Sequence, residues 1–335
     1  MASTVNAAFN EFLKNKVNLD PTITCIARGS RDWLVEQIHS FPQKDCNFPD
    51  LYTEKDIYFG SFARKTKKRE LDDIDLMICL TAEGGTYYDY GTYVSITIPA
   101  TAARLSKLCN DGVNSLNSKK VINKFITLLD KVPQYYKAGL NRNQEAAVLN
   151  LTSYTWSFDI IPCFFTQPDP FTNNTYYLIP DGSGNWKKTD PRKDRERVST
   201  VNQRHNGYVL SVIRTLKYWN KRATMPTMPS YLLENMILDY YSTSYPDKAT
   251  PWVDLQILNL LNYIQTAIYM PVYDPKHLQG DLNTLSYSDK EKISNRAQID
   301  LQKANEAHVF EMNQDHQRAI NKWGEVFGCD FPQYS

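Results

Sequence analysis

The chain has 335 residues, and its 38 Lys and Arg nearly balance its 37 Asp and Glu, which gives a formal net charge of +1. That balance excludes a polycation that coats nucleic acid and an acidic tail protein. Aromatic residues make up 13% of the chain, a share that excludes a disordered polymer and predicts a packed globule with room for two lobes.

The cysteines and the N-terminal segment indicate the cellular compartment. The six cysteines form no CxxC pair, and none has a histidine at zinc-finger spacing, so we predict buried free thiols. The N-terminus lacks the apolar core of a signal peptide, and no stretch approaches about 18 apolar residues. We therefore expect a cytoplasmic protein that has no membrane partner.

In chain order, the first predicted elements are helical and the next are strands. Apolar residues repeat at helical spacing over residues 1–40. Runs of β-branched and aromatic residues then predict strands at 56–62, 74–80 and 94–99. A single apolar stripe predicts a return to helix over 117–132.

The second half of the chain changes from strands to helices. Residues 148–165 predict one or two strands, and 166–206, rich in Pro, Gly, Asn and charge, predicts loops. From Gly207 onward, apolar residues recur at helical spacing. We predict an α+β fold, with a mixed-sheet lobe over 1–200 and an all-helical lobe over 201–335. A cleft between two such lobes is the usual place for a ligand.

Two aspartates at the start of the 74–80 strand carry the clearest chemical signal. Side chains alternate along a strand, so Asp73 and Asp75 share a face, with Cα atoms about 6–7 Å apart, while Asp72 points the other way. Two carboxylates this close repel one another, and a hard divalent cation such as Mg²⁺ relieves the repulsion. An Asp-x-Asp pair taken alone is more often a solvated turn or a salt bridge.

Two further features strengthen the metal interpretation. Gly60 and Ser61 stand at the end of the preceding strand, where a glycine lets the backbone approach a phosphate and a serine hydroxyl can bind its oxygens. Asp159 lies in the later apolar run TWSFDIIPCFF, where a carboxylate is costly unless it meets a charge. That charge is either a cation shared with Asp73 and Asp75 or a buried arginine.

The strand, Gly-Ser, charged loop, Asp-x-Asp and later aspartate together resemble the catalytic motif of the DNA polymerase β-like nucleotidyltransferase superfamily. Within it, the chain is similar to the bacterial cGAS/DncV-like nucleotidyltransferases, or CD-NTases, and RTLKYWNK and PSYLLE favour this branch. The likeness extends over most of the chain, through GSFARKTKKRELDDIDLMICL, WSFDIIPCFF, YLIPDGSGNWKKTDP, GYVLSVIRTLKYWNK, MPSYLLENMI and WGEVFG.

The resemblance implies a two-lobed polymerase β-like fold, in which a mixed-sheet palm lobe precedes a helical lobe. It implies that Asp73, Asp75 and Asp159 bind two Mg²⁺ ions, with Mn²⁺ as the alternative ion, and that Asp159 helps to deprotonate the attacking hydroxyl. Gly60 and Ser61 would hold the β- and γ-phosphates of the donor nucleotide.

The resemblance also implies nucleotide contacts from the second lobe. Lys217 would meet the triphosphate, Ser230 would contact phosphate, and Tyr231 would stack on a base. The alternative for Tyr231 is a core position at the start of a helix. Lys217 shares a helix side with Arg214 and Lys221, for which the alternative is a solvated basic face.

The basic run at 187–197 is open to two interpretations. It holds six basic residues against three acids, so it could border the nucleotide or an RNA activator. The alternative, which we favour, is a flexible surface loop.

The implied activity joins NTPs, ATP among them, into a cyclic di- or trinucleotide second messenger for anti-phage (CBASS) signalling. The implied partners are a downstream effector and an accessory or activator protein or ligand. No DNA partner is expected, because the sequence has no zinc-binding insertion of the kind that animal cyclic GMP-AMP synthases use. One alternative is a template-independent RNA nucleotidyltransferase of the poly(A) or tRNA type, against which the balanced charge argues. The other is a catalytically silent nucleotide-binding scaffold.

Overall fold

The structure is a computed structural model that describes residues 2–243 and 249–335. Contacts between Cα atoms divide the chain into two units, which we call the sheet unit and the helical unit. The sheet unit comprises Thr22–Ala63 and Leu71–Arg192, and the helical unit comprises the stretch that ends at Pro21, Arg64–Glu70 and Lys193–Ser335. In this division, the N-terminal helix groups with the C-terminal helices.

Nine strands of the described residues form one sheet. The strands are β1 (Ile57–Phe59), β2 (Asp73–Leu80), β3 (Thr86–Asp89), β4 (Val94–Thr97), β5 (Gly139–Asn143), β6 (Ala146–Asn150), β7 (Ser157–Phe165), β8 (Tyr177–Pro180) and β9 (Trp186–Thr189). Their order in the sheet is β1-β2-β7-β8-β9-β4-β3, with β6 pairing β7 and β5 pairing β6. Because β2 and β7 are parallel and β1 and β2 are antiparallel, the sheet is mixed, as predicted. The predicted strands at 74–80, 94–99 and 148–165 are confirmed.

In chain order, helices precede, separate and follow the strands, and they make up most of the helical unit. They are α1 (Val5–Phe12), α2 (Pro21–His39), α3 (Phe41–Lys44), α4 (Gly60–Ala63), α5 (Ala103–Ser106), α6 (Ser118–Leu129), α7 (Pro191–Arg204), α8 (Val209–Asn220), α9 (Ser230–Ser242), α10 (Val253–Ala267), α11 (Tyr287–Met312) and α12 (His316–Phe327). The helices predicted over 1–40, over 117–132 and beyond Gly207 are confirmed. The predicted strand at 56–62 ends at Phe59, and the chain turns into the short helix α4 at Gly60.

The prediction of loops over 166–206 is wrong, since β8, β9 and α7 occupy much of it. Helix α7 has a recognisable start, because Asp190 Oδ1 accepts the backbone N–H of Arg192 at 3.2 Å. Pro191 stands in the first turn, where its missing N–H costs no helical hydrogen bond. The helix is strongly charged, and this charge obscured the buried positions Val198 and Val201.

Aromatic packing explains why the N-terminal helix belongs to the helical unit. The ring centroid of Phe9 lies 4.9 Å from that of Trp323, and the centroid of Phe12 lies 5.1 Å from that of Phe327. All four side chains are buried. Contacts of this kind add to the free energy gained from burying large apolar surfaces.

The cysteines are free, as predicted, but only some of them are buried. Cys79, Cys109 and Cys163 are buried, whereas Cys25, Cys46 and Cys329 are exposed. Among the described residues, no helix combines the length and the apolar character that crossing a membrane requires.

Candidate active site

The three predicted metal-binding aspartates lie on one face of two adjacent strands. The register of β2 and β7 pairs Asp75 with Asp159 and Asp73 with Ser157. Burial alternates at the start of both strands, so the aspartates are half-buried while the neighbouring Ile74 is buried. Because side chains alternate along a strand and paired residues share a face, the three carboxylates project from the same side of the sheet.

Gly60 lies directly against Asp75. The antiparallel register of β1 and β2 pairs Phe59 with Asp75, so the chain leaves β1 beside this aspartate. Gly60 has a φ of +69°, and a Cβ atom on it would lie 1.7 Å from Asp75 Oδ2. The missing side chain therefore provides the space that the Asp75 carboxylate occupies. Ser61 follows in α4 and is half-buried.

The aspartates fit a hard divalent cation in donor type and in the strand register that puts them on one face. Carboxylate oxygens are the ligands that Mg²⁺ prefers, and the register puts three carboxylates on one face. Within the described part of the chain, no three His, Cys, Asp or Glu side chains converge into a preformed metal centre. Binding a metal here would require these carboxylates to turn toward one another, so the metal site stays a prediction.

In the helical unit, Lys217 is held by a buried acid. Its Nζ lies 2.5 Å from Glu234 Oε2 and donates to the carbonyl oxygen of Thr66 at 3.2 Å. Arg64 Nε donates to Glu234 Oε1 at 2.7 Å, and the Thr66 hydroxyl donates to Oε2 at 2.8 Å. Lys217 is 5% exposed and Glu234 only 1%. Lys217 is therefore a buried and paired cation rather than part of a solvated basic face.

The carboxylate of Glu234 pairs with two cations, Arg64 and Lys217. Burial raises the pKa of Glu234, but Lys217 and Arg64 together outweigh it and bring the pKa to about 2. Burial lowers the pKa of Lys217, and repulsion from Arg64 adds to that effect, while Glu234 opposes both. Arg64, Lys217 and Glu234 together carry one surplus positive charge in surroundings that screen it poorly, which favours contact with an anion.

Ser230 and Tyr231 begin helix α9 and differ in their surroundings. Ser230 is exposed, and Tyr231 is half-buried. The Tyr231 hydroxyl donates to Asp194 Oδ1 at 2.6 Å and accepts from Lys276 Nζ at 2.5 Å. Tyr231 is thus neither a loose surface ring nor a fully enclosed core residue.

The other basic residues singled out from the sequence, Arg214, Lys221 and the run 187–197, differ in their surroundings. Arg214 donates to Asn18 Oδ1 and to the Lys65 carbonyl oxygen, each at 2.7 Å, and burial lowers its pKa to about 10. Lys221 is exposed. The run 187–197 forms the end of β9 and the start of α7.

Sequence reasoning missed Arg64, Thr66, Glu234 and Lys276. One signal was available for Glu234, because it is an acid inside the apolar helical run YLLENMIL. A carboxylate at such a position needs a cation, and Lys217 provides one. Nothing in the sequence points to Arg64 as the second cation.

We expect Glu234→Gln to remove a pH-dependent part of the protein's stability. The pKa of Glu234 lies at about 2 in the folded state against 4.5 ordinarily, so its contribution is present above pH 4.5 and is lost as the pH falls toward 2. A shift of this size corresponds to about 3 kcal/mol. Chemical denaturation at several pH values measures the free energies of unfolding of both proteins. Their difference should shrink from about 3 kcal/mol at pH 6 toward zero near pH 2.

A matched control is Glu306→Gln, which removes a carboxylate paired with Lys322 at 2.9 Å on the surface of the same unit. Ion pairs at the protein surface contribute little to stability, so this variant should unfold much like the wild type. A Glu234→Gln deficit that does not change with pH would contradict the assigned ion pair.

The chain is similar over its whole length to known proteins. No protein-family model matches it. A protein of Bacillus cereus (strain VD146) described as a probable cyclic nucleotide synthase is 45% identical over 337 aligned positions, which cover 100% of this chain and 99% of that protein. Two solved structures of CdnC from E. coli MS115-1, one in complex with HORMA-deltaN and one with ATP, have similar folds. Their TM-scores are 0.69 and 0.70, at 13% identity and 98% coverage of both chains.

Proposed function

We propose that this chain, which belongs to the CD-NTase family of bacterial cyclic nucleotide synthases, joins NTPs into a cyclic di- or trinucleotide. In each step, a ribose hydroxyl attacks an α-phosphate and pyrophosphate leaves. The observation that carries this proposal is the register that aligns Asp73, Asp75 and Asp159 on one face, with Gly60 packed against Asp75. ATP is the first substrate to test, because CdnC has been solved with ATP.

The residues of this chain would bind and orient the reacting groups. Ser61, with the backbone at Gly60, would hold the β- and γ-phosphates of the donor. Asp159, paired with Asp75 across the two strands, would take the proton from the attacking hydroxyl. Most of the rate gain would come from holding hydroxyl and phosphate in line and from stabilising charge.

Asp73, Asp75 and Asp159 would hold two Mg²⁺ ions, or Mn²⁺ in their place. Bound there, the ions would supply Lewis-acid stabilisation of the triphosphate charge. Three carboxylates on one face of the sheet would supply the hard oxygen donors that a divalent cation prefers.

Lys217, Ser230 and Tyr231 would also contact the nucleotide. Lys217 would bind triphosphate oxygens, and to do so its ammonium must share or exchange the contact with Glu234. Glu234 would keep Arg64 as its partner during such an exchange, so the buried carboxylate would not be left without a cation. Ser230 would meet phosphate, and Tyr231 would stack on a base.

The cyclic product would act in the cytoplasm as a second messenger for a downstream effector in anti-phage (CBASS) signalling. One of the similar CdnC structures is a complex with HORMA-deltaN. We therefore include an accessory protein among the partners of this chain.

The test is product analysis with purified protein. The protein would be incubated with all four NTPs and Mg²⁺ or Mn²⁺, treated with phosphatase, and the products identified by mass spectrometry. We expect a phosphatase-resistant cyclic oligonucleotide. Extension of a labelled RNA primer instead would support an RNA nucleotidyltransferase, and metal-dependent nucleotide binding without turnover would support a silent scaffold.

A further inference from the structure

Two segments of the helical unit converge on the hydroxyl of Tyr231, which lies in α9. Lys276 Nζ, from the segment between α10 and α11, lies 2.5 Å from the hydroxyl oxygen, and Asp194 Oδ1 of α7 accepts the hydroxyl proton at 2.6 Å. Asp274 Oδ1 lies 2.8 Å from Lys276 Nζ and 3.3 Å from the hydroxyl. We call these four residues, Asp194, Tyr231, Asp274 and Lys276, the anchor cluster.

Three members of the anchor cluster are buried, and Tyr231 is its most exposed residue. Asp194 is 9% exposed, Asp274 1% and Lys276 5%, whereas Tyr231 is half-buried. Asp274 is also held by the backbone N–H groups of Leu278 and Gln279, each at 3.1 Å. The cluster therefore holds the polar end of the tyrosine in place and leaves part of the residue accessible.

The hydrogen bonds on the hydroxyl have fixed directions. Burial and the Asp194 charge raise the pKa of Tyr231, so the phenol stays protonated and donates a hydrogen bond to Asp194. An ammonium group can only donate, so Lys276 uses a lone pair of the same oxygen. A hydroxyl that donates to one charged group and accepts from another is held in both directions, and charge-assisted bonds of this kind are the stronger ones.

We propose that Lys276 is a positioning residue for Tyr231, whose ammonium fixes the phenol hydroxyl and thereby the orientation of the ring on which a nucleotide base stacks. This inference rests on the proposed function, in which a nucleotide base stacks on Tyr231. Lys276 does not touch the nucleotide in this assignment and acts through the tyrosine. Asp274 holds Lys276 in turn, so the segment between α10 and α11 contributes to nucleotide affinity from outside the α9 motif.

A double-mutant cycle in steady-state kinetics tests the assignment. The variants are Lys276→Met, Tyr231→Phe and the two combined, assayed for cyclic product at varied ATP, with thermal unfolding recorded for each. We expect each single change to raise KM for ATP about five- to tenfold with kcat nearly unchanged, since both release the same hydroxyl contact. The double variant should be no worse than the poorer single variant, because the contact can be lost only once.

Two further variants keep the test interpretable. Lys322→Met removes a lysine of the same unit that pairs with Glu306 and Glu325 on the surface, and it should leave KM unchanged. If Lys276→Met does not fold, Lys276→Met/Asp274→Asn preserves the net charge of the anchor cluster and replaces it in the cycle.

The outcomes separate this inference from the proposed function. Additive KM effects, or a lower unfolding temperature with an unchanged KM, would overturn the positioning role while wild-type protein still makes cyclic product. If the wild type makes no such product, the proposed function fails. ATP affinities from calorimetry of the same variants then show whether Lys276 and Tyr231 are coupled in binding alone.

Discussion

Asp75→Asn should abolish cyclic product formation while the protein stays folded. Asp75 is the central acid of the candidate site, because it pairs with Asp159 on β7 and its carboxylate lies against Gly60. The amide has nearly the same shape, but it lacks the negative charge that binds a divalent cation. Losing several kcal/mol of charge stabilisation in the transition state corresponds to a fall of about 10³-fold or more in kcat. Single-turnover formation of labelled product at saturating ATP and Mg²⁺ measures the loss.

The neighbouring aspartates provide matched controls for this change. Asp73→Asn and Asp159→Asn alter the same face, and the kcat of each variant should also fall by orders of magnitude. Asp72→Asn makes the same chemical change one residue before β2, at an exposed position, and should retain nearly full activity. Full activity in Asp75→Asn would sink the metal assignment, and equal losses in all four variants would point to general damage rather than to a site.

That Asp73 and Asp75 share one face of the strand could be predicted from the sequence, because it depends on a local rule. Alternation along a strand puts Asp73 and Asp75 on one side without knowledge of the rest of the fold. Placing Asp159 beside them required the pairing of β2 with β7, and the structure supplies that register. The apolar neighbours of Asp159 indicated only that the acid needed a partner, so its location depended on tertiary structure.

The clusters of the helical unit could not be predicted in the same way. Arg64 and Glu234 are 170 residues apart in the chain, and Tyr231 and Lys276 are 45 apart. Such pairs form because a buried charge must find a partner wherever the fold provides one, and no local periodicity encodes that choice. Lys217 was singled out by a sequence pattern, but the pattern did not reveal that its ammonium is buried beside Glu234.

Helix α7 shows how local signals compete. Its sequence PRKDRERVSTVNQR carries so many charges that composition favoured a loop, whereas Asp190 and Pro191 marked a helix start. The helix then contributes Asp194 to the anchor cluster and Arg197 to a hydrogen bond with Asn235 of α9. Capping residues were the better guide here because most of the surface of α7 stays polar.

Gly60→Ala is the second change for which we expect a large effect, because it combines backbone strain with a collision. An alanine at a φ of +69° is strained by about 1–2 kcal/mol. Its Cβ would also lie 1.7 Å from Asp75 Oδ2, so either the carboxylate or the turn after β1 must move. A displacement of about 1 Å in a catalytic group costs on the order of 10²-fold in rate. Product formation measures the loss of activity, and chemical denaturation of the same preparation measures the loss of stability.

Gly91→Ala separates the collision from the strain. Gly91 has a φ of +82° in the sheet unit, but its added Cβ would meet nothing within 4 Å. This variant should therefore lose about 1–2 kcal/mol of stability and keep its activity. If Gly60→Ala lost no more activity than Gly91→Ala, the contact between Gly60 and Asp75 would have no catalytic consequence. If Gly60→Ala alone is inactive while both variants are folded, the empty space at Gly60 is what keeps the Asp75 carboxylate in its working position.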